Sequence, residues 1–171
     1  MSLTKIVTHL QWRKISQWLL GAFWVFGLTL GALTAHGCDG IIQPLIRESA
    51  GLTPSLIGLC CATFFPFLLS AFAVSLSEPW LLLVISTCKA FSFSFCAVGV
   101  SLAFGQSGWL VRFLFLFSDL LQLPLLCWYW LRHIKGSANG RWDIPFCTVS
   151  LTAIGVLDYA VIAPFLASVI R

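Results

Sequence analysis

The stretch WLLLVISTCKAFSFSFCAVGVSLAFGQSGWLVRFLFLFSDLLQLPLLCWYWL, residues 80–131, decides the fold of this chain. It consists of two apolar runs, 80–104 and 109–131, joined by the short turn Gly105 to Gly108. Each run exceeds the roughly 20 residues that a helix needs to cross a hydrocarbon core of about 30 Å. Uninterrupted apolar character also excludes the strand alternation of a membrane β-barrel. The sequence therefore predicts a hairpin of two neighbouring transmembrane helices.

The composition extends this prediction to the whole chain. Of the 171 residues, 59% are hydrophobic and 9% are charged, with a mean hydropathy of +0.95, whereas a soluble domain carries about 25% charged residues. Ile15 to Cys38 and Ser49 to Ser77 contain no Lys, Arg, Asp or Glu. The first run is too long for a cleavable signal peptide. We predict an all-α, polytopic transmembrane helix bundle, a single domain over residues 1–171 with the lipid bilayer as its partner.

Five spans are predicted in total. Besides the hairpin, which supplies spans three and four, they lie at roughly 15–36, 54–76 and 144–170. Pro66 falls near the middle of span two and predicts a kink there. The segment CDGIIQPLIRESAG, residues 38–51, clusters its apolar residues away from an Arg-Glu pair. It is predicted to be a short, external, amphipathic helix or loop at the membrane interface.

The distribution of Lys and Arg predicts the orientation. Positive residues in short loops favour the cytoplasmic side, and six of them fall on the side of the N-terminus against three on the other. This bias predicts a multi-pass protein of the cell membrane with a cytoplasmic N-terminus, and it explains the net charge of +4 without a nucleic-acid partner. The six are Lys5, Arg13, Lys14, Arg132, Lys135 and Arg141, and the three are Arg47, Arg112 and Arg171.

Two opposite charges are predicted to meet inside the bilayer. Lys89 lies ten residues beyond Pro79, and Asp119 lies ten residues beyond Trp109. At 1.5 Å per residue, each is about 15 Å deep on adjacent, antiparallel helices. A lone charge at the bilayer centre costs roughly 3 kcal/mol or more, and pairing removes much of that cost. We therefore predict an ion pair between spans three and four.

Other polar residues accompany this pair at helical spacing on both spans. They are expected to face each other or an internal polar cavity. Asp158 in span five lies at a depth that loosely matches that of Arg112, so a second ion pair between these two residues is an alternative. Two interpretations stay open: the polar core fixes helix register, or it contacts a substrate, a proton or a partner helix. The predicted core comprises Ser86, Lys89, Ser92, Arg112, Asp119, Gln122 and Asp158.

A ridge of small residues marks span one. Gly27, Gly31 and Ala35 recur every four residues and so lie on one helix face. Small residues allow the backbones of two membrane helices to approach closely. The ridge is predicted to pack against another helix.

The sequence predicts no enzyme, metal or cofactor. Seven cysteines include no C-x-x-C pair, and small buried thiols explain them. His36, Cys38 and Asp39 share one turn, where three residues rarely converge on a metal ion, so an interfacial loop is the better prediction. H-E-x-x-H, G-x-S-x-G and Walker A motifs do not occur in the sequence.

The stretch KAFSFSFCAVGVSLAFGQSGWLVRFLFLFSDLLQLPLLCWYW, residues 89–130, resembles the stage II sporulation protein M family. That family carries a basic residue followed by Gly-Phe on one helix, a glycine-containing turn, and an apolar helix with a central proline. Serine and alanine replace most of the family's glycines here, and the asparagine often found near the proline is missing. The matching positions are Lys89, Ala90-Phe91 in place of Gly-Phe, Gly105 to Gly108 for the turn, and Asp119 and Pro124 on the second helix.

The resemblance implies a role in membrane organisation. Members of that family are integral membrane proteins of spore-forming bacteria that anchor a complex of cell-wall hydrolases during engulfment. The resemblance therefore implies a non-enzymatic scaffold that recruits cell-wall-remodelling partners. The alternative is a small transporter, or the membrane-embedded subunit of a transporter, with a polar core around Lys89 and Asp119.

Overall fold

All secondary structure that the computed structural model describes is helical. It describes residues 3–50, 55–76, 79–105, 108–135 and 140–170. The predicted all-α class is confirmed over these residues. The helices are α1 (Leu3–Gly37), α2 (Asp39–Ala50), α3 (Leu56–Ser75), α4 (Pro79–Phe104), α5 (Trp109–Lys135), α6 (Gly140–Leu157) and α7 (Ala163–Ile170), with a π-helical turn, Asp158–Ile162, joining the last two.

Four stretches are long and apolar enough to cross a membrane. They are Gln17–Gly37 in α1, Trp80–Phe104 in α4, Trp109–His133 in α5 and Trp142–Val169, which runs from α6 through α7. Three of them begin with an exposed tryptophan, the residue that anchors helix ends at membrane interfaces. The protein is therefore a helical membrane protein. A shorter apolar stretch, Cys61–Ser75, lies in α3, so the crossing by a fifth helix stays a prediction.

Several boundaries differ from the predicted ones. The first span is part of one helix of 35 residues, α1. Helix α5 continues to Lys135 and α6 begins at Gly140, so both helices extend beyond the predicted span ends at 131 and 144. Residues 51–54, around the predicted start of span two, lie outside the described residues. Helix α3 runs over Pro66 without interruption, and the kink stays a prediction.

Helix α4 is the centre of the bundle. Helix α1 packs along it, α3 and α5 flank it, and α2 contacts it at one end. The Cβ that alanine would add at Gly27 would lie 2.6 Å from the carbonyl oxygen of Thr87 on α4. A Cβ added at Gly31 would lie closer still to the carbonyl oxygen of Phe91 on the same helix. Ala35 is fully buried. The small-residue ridge of α1 thus lets two membrane helices pack backbone to backbone.

The amphipathic segment forms helix α2 at the C-terminal end of α4. Its Ile42 is buried, and Ile42 and Ile46 are the side chains nearest to Gly99. Arg47 turns toward the bundle, and its Nε and Nη2 donate to the carbonyl oxygen of Ala103 at 2.9 and 2.7 Å. That carbonyl belongs to the last turn of α4, where the helix leaves its own acceptors unpaired. Arg47 therefore fastens α2 to the bundle.

A mainly apolar core closes the end of the bundle where α4 begins and α5 ends. Leu126, Tyr129 and Trp130 of α5 are fully buried there. The indole Nε1 of Trp130 donates to the Ser70 hydroxyl at 2.8 Å, and that hydroxyl donates to the carbonyl oxygen of Pro66 at 2.7 Å. This contact ties α5 to α3 at that end of the bundle.

Candidate binding cavity within the membrane

The ion pair expected from the sequence is present at the middle of the hairpin. Gly105, with a φ of 62°, adopts the left-handed conformation that glycine tolerates best and ends α4 just before the turn into α5. Lys89 Nζ donates to Asp119 Oδ1 across the two helices. The two side chains are 10% and 24% exposed. Each charge is therefore largely shielded and has its partner on the neighbouring helix.

A second polar group lies beside this pair. Ser118 Oγ accepts a hydrogen bond from Gln122 Nε2 at 3.0 Å, one turn away on α5. The carboxyl group of Asp158 lies next to this hydroxyl and within electrostatic reach of Asp119. Gln122 is only 2% exposed, and its Oε1 is buried without a hydrogen-bond partner. The site therefore holds one lysine, two acids and one unused amide oxygen.

The π-helical turn is the element that carries Asp158. In this turn the N–H of Ala163 bonds to the carbonyl oxygen of Asp158, five residues earlier. Pro164 follows directly, and a proline cannot donate to the residue four positions before it, here Ala160. The wider turn accommodates that missing bond. Single π-helical turns within α-helices often mark functional sites.

These groups line a cavity of about 870 Å³ between α3, α4, α5 and the π-helical turn. Its volume falls within the roughly 300–1,000 Å³ of small-molecule sites. The inner wall includes buried Thr63 and Gln122, whereas Phe65, Leu69 and Val84 on its rim are 60%, 38% and 45% exposed. That rim lies between α3 and α4 on the apolar outer surface. The cavity thus opens sideways, onto the apolar outer surface of the bundle.

The cavity brings together most of the predicted polar core. Lys89, Ser92, Asp119, Gln122 and Asp158 all line it. The polar stripes on α4 and α5 therefore face an internal cavity, which is one of the two arrangements expected from the sequence.

The other two members of the predicted core lie elsewhere. Ser86 is fully buried, and its hydroxyl donates to the carbonyl oxygen of Leu83 on its own helix at 2.8 Å. Arg112 donates from Nη1 to Ser101 Oγ on α4 at 3.5 Å, toward the turn of the hairpin. Asp158 lies next to Ser118. The alternative of a second pair between Asp158 and Arg112 stays a prediction.

Sequence reasoning missed the third wall of the cavity. Helix α3 contributes several of the lining residues, among them Cys61, Thr63 and Pro66. Ser118 was also missed, although its position next to Asp119 on a membrane helix is a signal that the sequence contains. Hydropathy alone does not say which helix lies beside the hairpin, so the wall from α3 had no comparable signal.

A second ion pair lies where α5 and α6 meet. Arg132 Nη1 is 3.1 Å from Asp143 Oδ1, and the Asp143 side chain is 4% exposed. The guanidinium carbon of Arg132 also lies over the ring of Trp128, 5.0 Å from the ring centroid. The pair fixes the antiparallel start of α6 next to the end of α5. We assign it this structural role.

No metal site is found in the part of the chain that the structure describes. Within it, no three His, Cys, Asp or Glu side chains are grouped to hold a metal ion. His36 and Cys38 are exposed at the junction of α1 and α2, and Asp39 begins α2. Between α1 and α2, where an interfacial loop was expected, Cys38 is the single turn residue.

Comparison with known proteins leaves the family open. No protein-family model, curated protein or solved structure matches this chain. The resemblance to the stage II sporulation protein M family therefore stays a prediction from the residues of the hairpin.

Proposed function

We propose that this protein is a non-enzymatic membrane subunit that binds a small amphipathic molecule within the bilayer. It would act as a small transporter or as the membrane-embedded subunit of one. The observation that carries this proposal is the cavity at mid-bilayer, with an ion pair and a further acid on its inner wall and an apolar rim facing lipid. Intramembrane charges typically mark substrate or ion pathways.

The proposal includes five crossings of the cell membrane with a cytoplasmic N-terminus. Helix α3 has 20 residues and is about 30 Å long at 1.5 Å per residue, enough for the hydrocarbon core. In this topology four crossings precede the Lys- and Arg-rich loop after α5, so that loop lies on the side of the N-terminus. With this topology, the closed core around Trp130 lies on the cytoplasmic side of the cavity.

Native mass spectrometry of the protein extracted from its own membrane tests the proposal. We expect a non-protein mass bound at about one equivalent, because a pocket of this size buries most of the surface of a drug-sized ligand. Ala62→Trp fills the cavity from the α3 wall and should remove that mass. Val149→Trp places the same side chain on a 70% exposed position of α6 and should leave it bound. Absence of any stoichiometric mass from the wild type would contradict the proposal.

A second proposal is the scaffold role that the family resemblance implies, with cell-wall-remodelling enzymes as partners. The observation that favours it is the last span. Only 6% of its most apolar window is buried in the bundle, against 22–33% for the other three spans. One face of that span is a shallow groove of small and β-branched residues, including Thr148, Thr152 and Ala160. Such faces allow close packing of a partner helix in the membrane.

Site-directed photo-crosslinking in cells tests the scaffold role. A crosslinker at Val149 on α6 should capture a partner protein, because this residue borders the groove. The matched control is Val25 on α1, which is 64% exposed but lies on another span. Capture of the same proteins from both positions, or from neither, would contradict a partner-specific face on α6.

A further inference from the structure

Among the lining residues of the cavity, one buried polar atom has no hydrogen-bond partner: the Oε1 of Gln122. The Lys89 ammonium donates to Asp119, and the Gln122 amide nitrogen donates to Ser118. The atom left without a partner is therefore an acceptor.

This unpartnered oxygen calls for a donor. A buried polar atom without a hydrogen bond costs roughly 1–3 kcal/mol, and buried amide oxygens in folded proteins are nearly always paired. Gln122 lines the cavity, so a molecule inside the cavity can supply the missing hydrogen. Ser118 is hydrogen-bonded to Gln122 and lies next to Asp158, so the amide oxygen and the second acid lie on one patch of wall.

The charges of the lining residues give the sign of the ligand. Among those residues, Lys89 is the single cation, and Asp119 and Asp158 are both acids. Because Lys89 is paired with Asp119, Asp158 has no cationic partner among the lining residues. Charge complementarity therefore favours a ligand with one positive charge.

The rest of the cavity excludes a bare metal ion and fits an organic body. Its lining is mainly apolar and includes Phe65, Leu69, Ile85 and Phe115. Hard cations require six or more oxygen ligands, and the described residues contain no group of three metal-ligating side chains. An ammonium group needs only a few acceptors, and its apolar substituents can occupy the remaining volume.

We infer that the cavity binds a protonated amine with an apolar body, which enters from the bilayer between α3 and α4. The ammonium group lies against Asp158 and donates to Gln122 Oε1, and the apolar body packs toward Phe65 and Leu69 on the rim. The inference rests on the proposed binding function and adds the chemical class of the ligand.

Binding of three probes with the same ring system tests the inference. The full-length protein in lipid nanodiscs is titrated with 1-naphthylmethylamine, which is cationic at neutral pH, with neutral 1-methylnaphthalene and with anionic 1-naphthylacetate. Empty nanodiscs correct for partitioning into lipid. We expect saturable binding of the amine and at least about tenfold weaker binding of the other two probes, since a charge-assisted hydrogen bond contributes about that factor.

Two variants and one control locate the binding site. Asp158→Asn should weaken binding of the amine about tenfold or more, and Gln122→Leu should weaken it through the lost acceptor. Gln122→Leu also keeps the test valid should Asp158→Asn fold poorly. The control is Asp39→Asn, which removes one negative charge at the exposed start of α2 and should leave the affinity unchanged.

The outcomes separate the inference from the proposed function. Preference for the amine, lost in Asp158→Asn and Gln122→Leu but kept in Asp39→Asn, supports the inference. Equal saturable binding of all three probes overturns the inference about ligand class while the cavity remains a binding site. Absence of saturable binding of any probe overturns the inference and counts against the proposed function as well.

Discussion

Removing Lys89 should destabilise the protein far more than removing its partner. Lys89→Met leaves Asp119 buried next to Asp158, so that two acids lie together without a cation. Loss of one partner of a buried ion pair costs about 3–5 kcal/mol, and the acidic neighbour places Lys89→Met at the upper end of that range. Asp119→Leu leaves one lysine and one acid in the same cavity, so its cost should be lower.

The double variant measures the pair itself. Lys89→Met combined with Asp119→Leu removes both charges and should lie within about 1 kcal/mol of the wild type, because replacing a buried pair by apolar residues is often neutral. The resulting coupling energy should exceed roughly 2 kcal/mol. Stability is measured by SDS titration in detergent micelles, followed by the fluorescence of the eight tryptophans. Ser92→Ala, on the rim of the same cavity, is the uncharged control.

Two results would refute this reasoning. If Lys89→Met costs no more than Ser92→Ala, the lysine has no partner that matters to folding. If the two single losses simply add in the double variant, the pair contributes no coupling. Asp158→Asn separates the two functional proposals: a binding subunit loses its ligand in this variant, whereas a scaffold keeps its partners.

Three further predictions concern the packing around the cavity. Gly27→Ala should lower stability by about 1–3 kcal/mol through overpacking against α4, whereas Gly21→Ala, with nothing within 4 Å of the new Cβ, should not; SDS titration compares them. Arg47→Met should cost about 1.5–3 kcal/mol of docking free energy through its two lost bonds to Ala103, seen as faster hydrogen exchange throughout α2. Trp130→Phe should cost about 0.5–1.5 kcal/mol for the lost indole bond to α3, plus a small packing loss, again by SDS titration.

The hairpin could be predicted because each step depended on local sequence. A short turn makes α4 and α5 neighbours, and the distance along each helix gives the depth of its charge. Lys89 and Asp119 were therefore expected at one height on adjacent helices. The small-residue ridge around Gly27 was likewise visible, but a ridge does not specify its partner. The ridge packs on α4 because of how all the helices of the bundle pack together, which the local sequence does not specify.

The remaining wall of the cavity could not be predicted in the same way. Helix α3 and Asp158 come from spans that are distant in sequence from the hairpin, and their lateral order depends on packing between many side chains. The π-helical turn had one local signal, Pro164, since a proline removes a bond in the preceding turn. The direction in which Asp158 then points follows from the extra residue of that turn, which hydropathy does not reveal.

The composition of the cavity favours a binding role over a purely structural one. Fixing the register of α4 and α5 requires only Lys89 and Asp119, which together are neutral and satisfy each other. Asp158 adds a second acid within electrostatic reach of Asp119, and the buried Oε1 of Gln122 has no partner. Both features destabilise an empty bundle. A ligand that carries one positive charge and one donor relieves both, which a structural pair by itself does not.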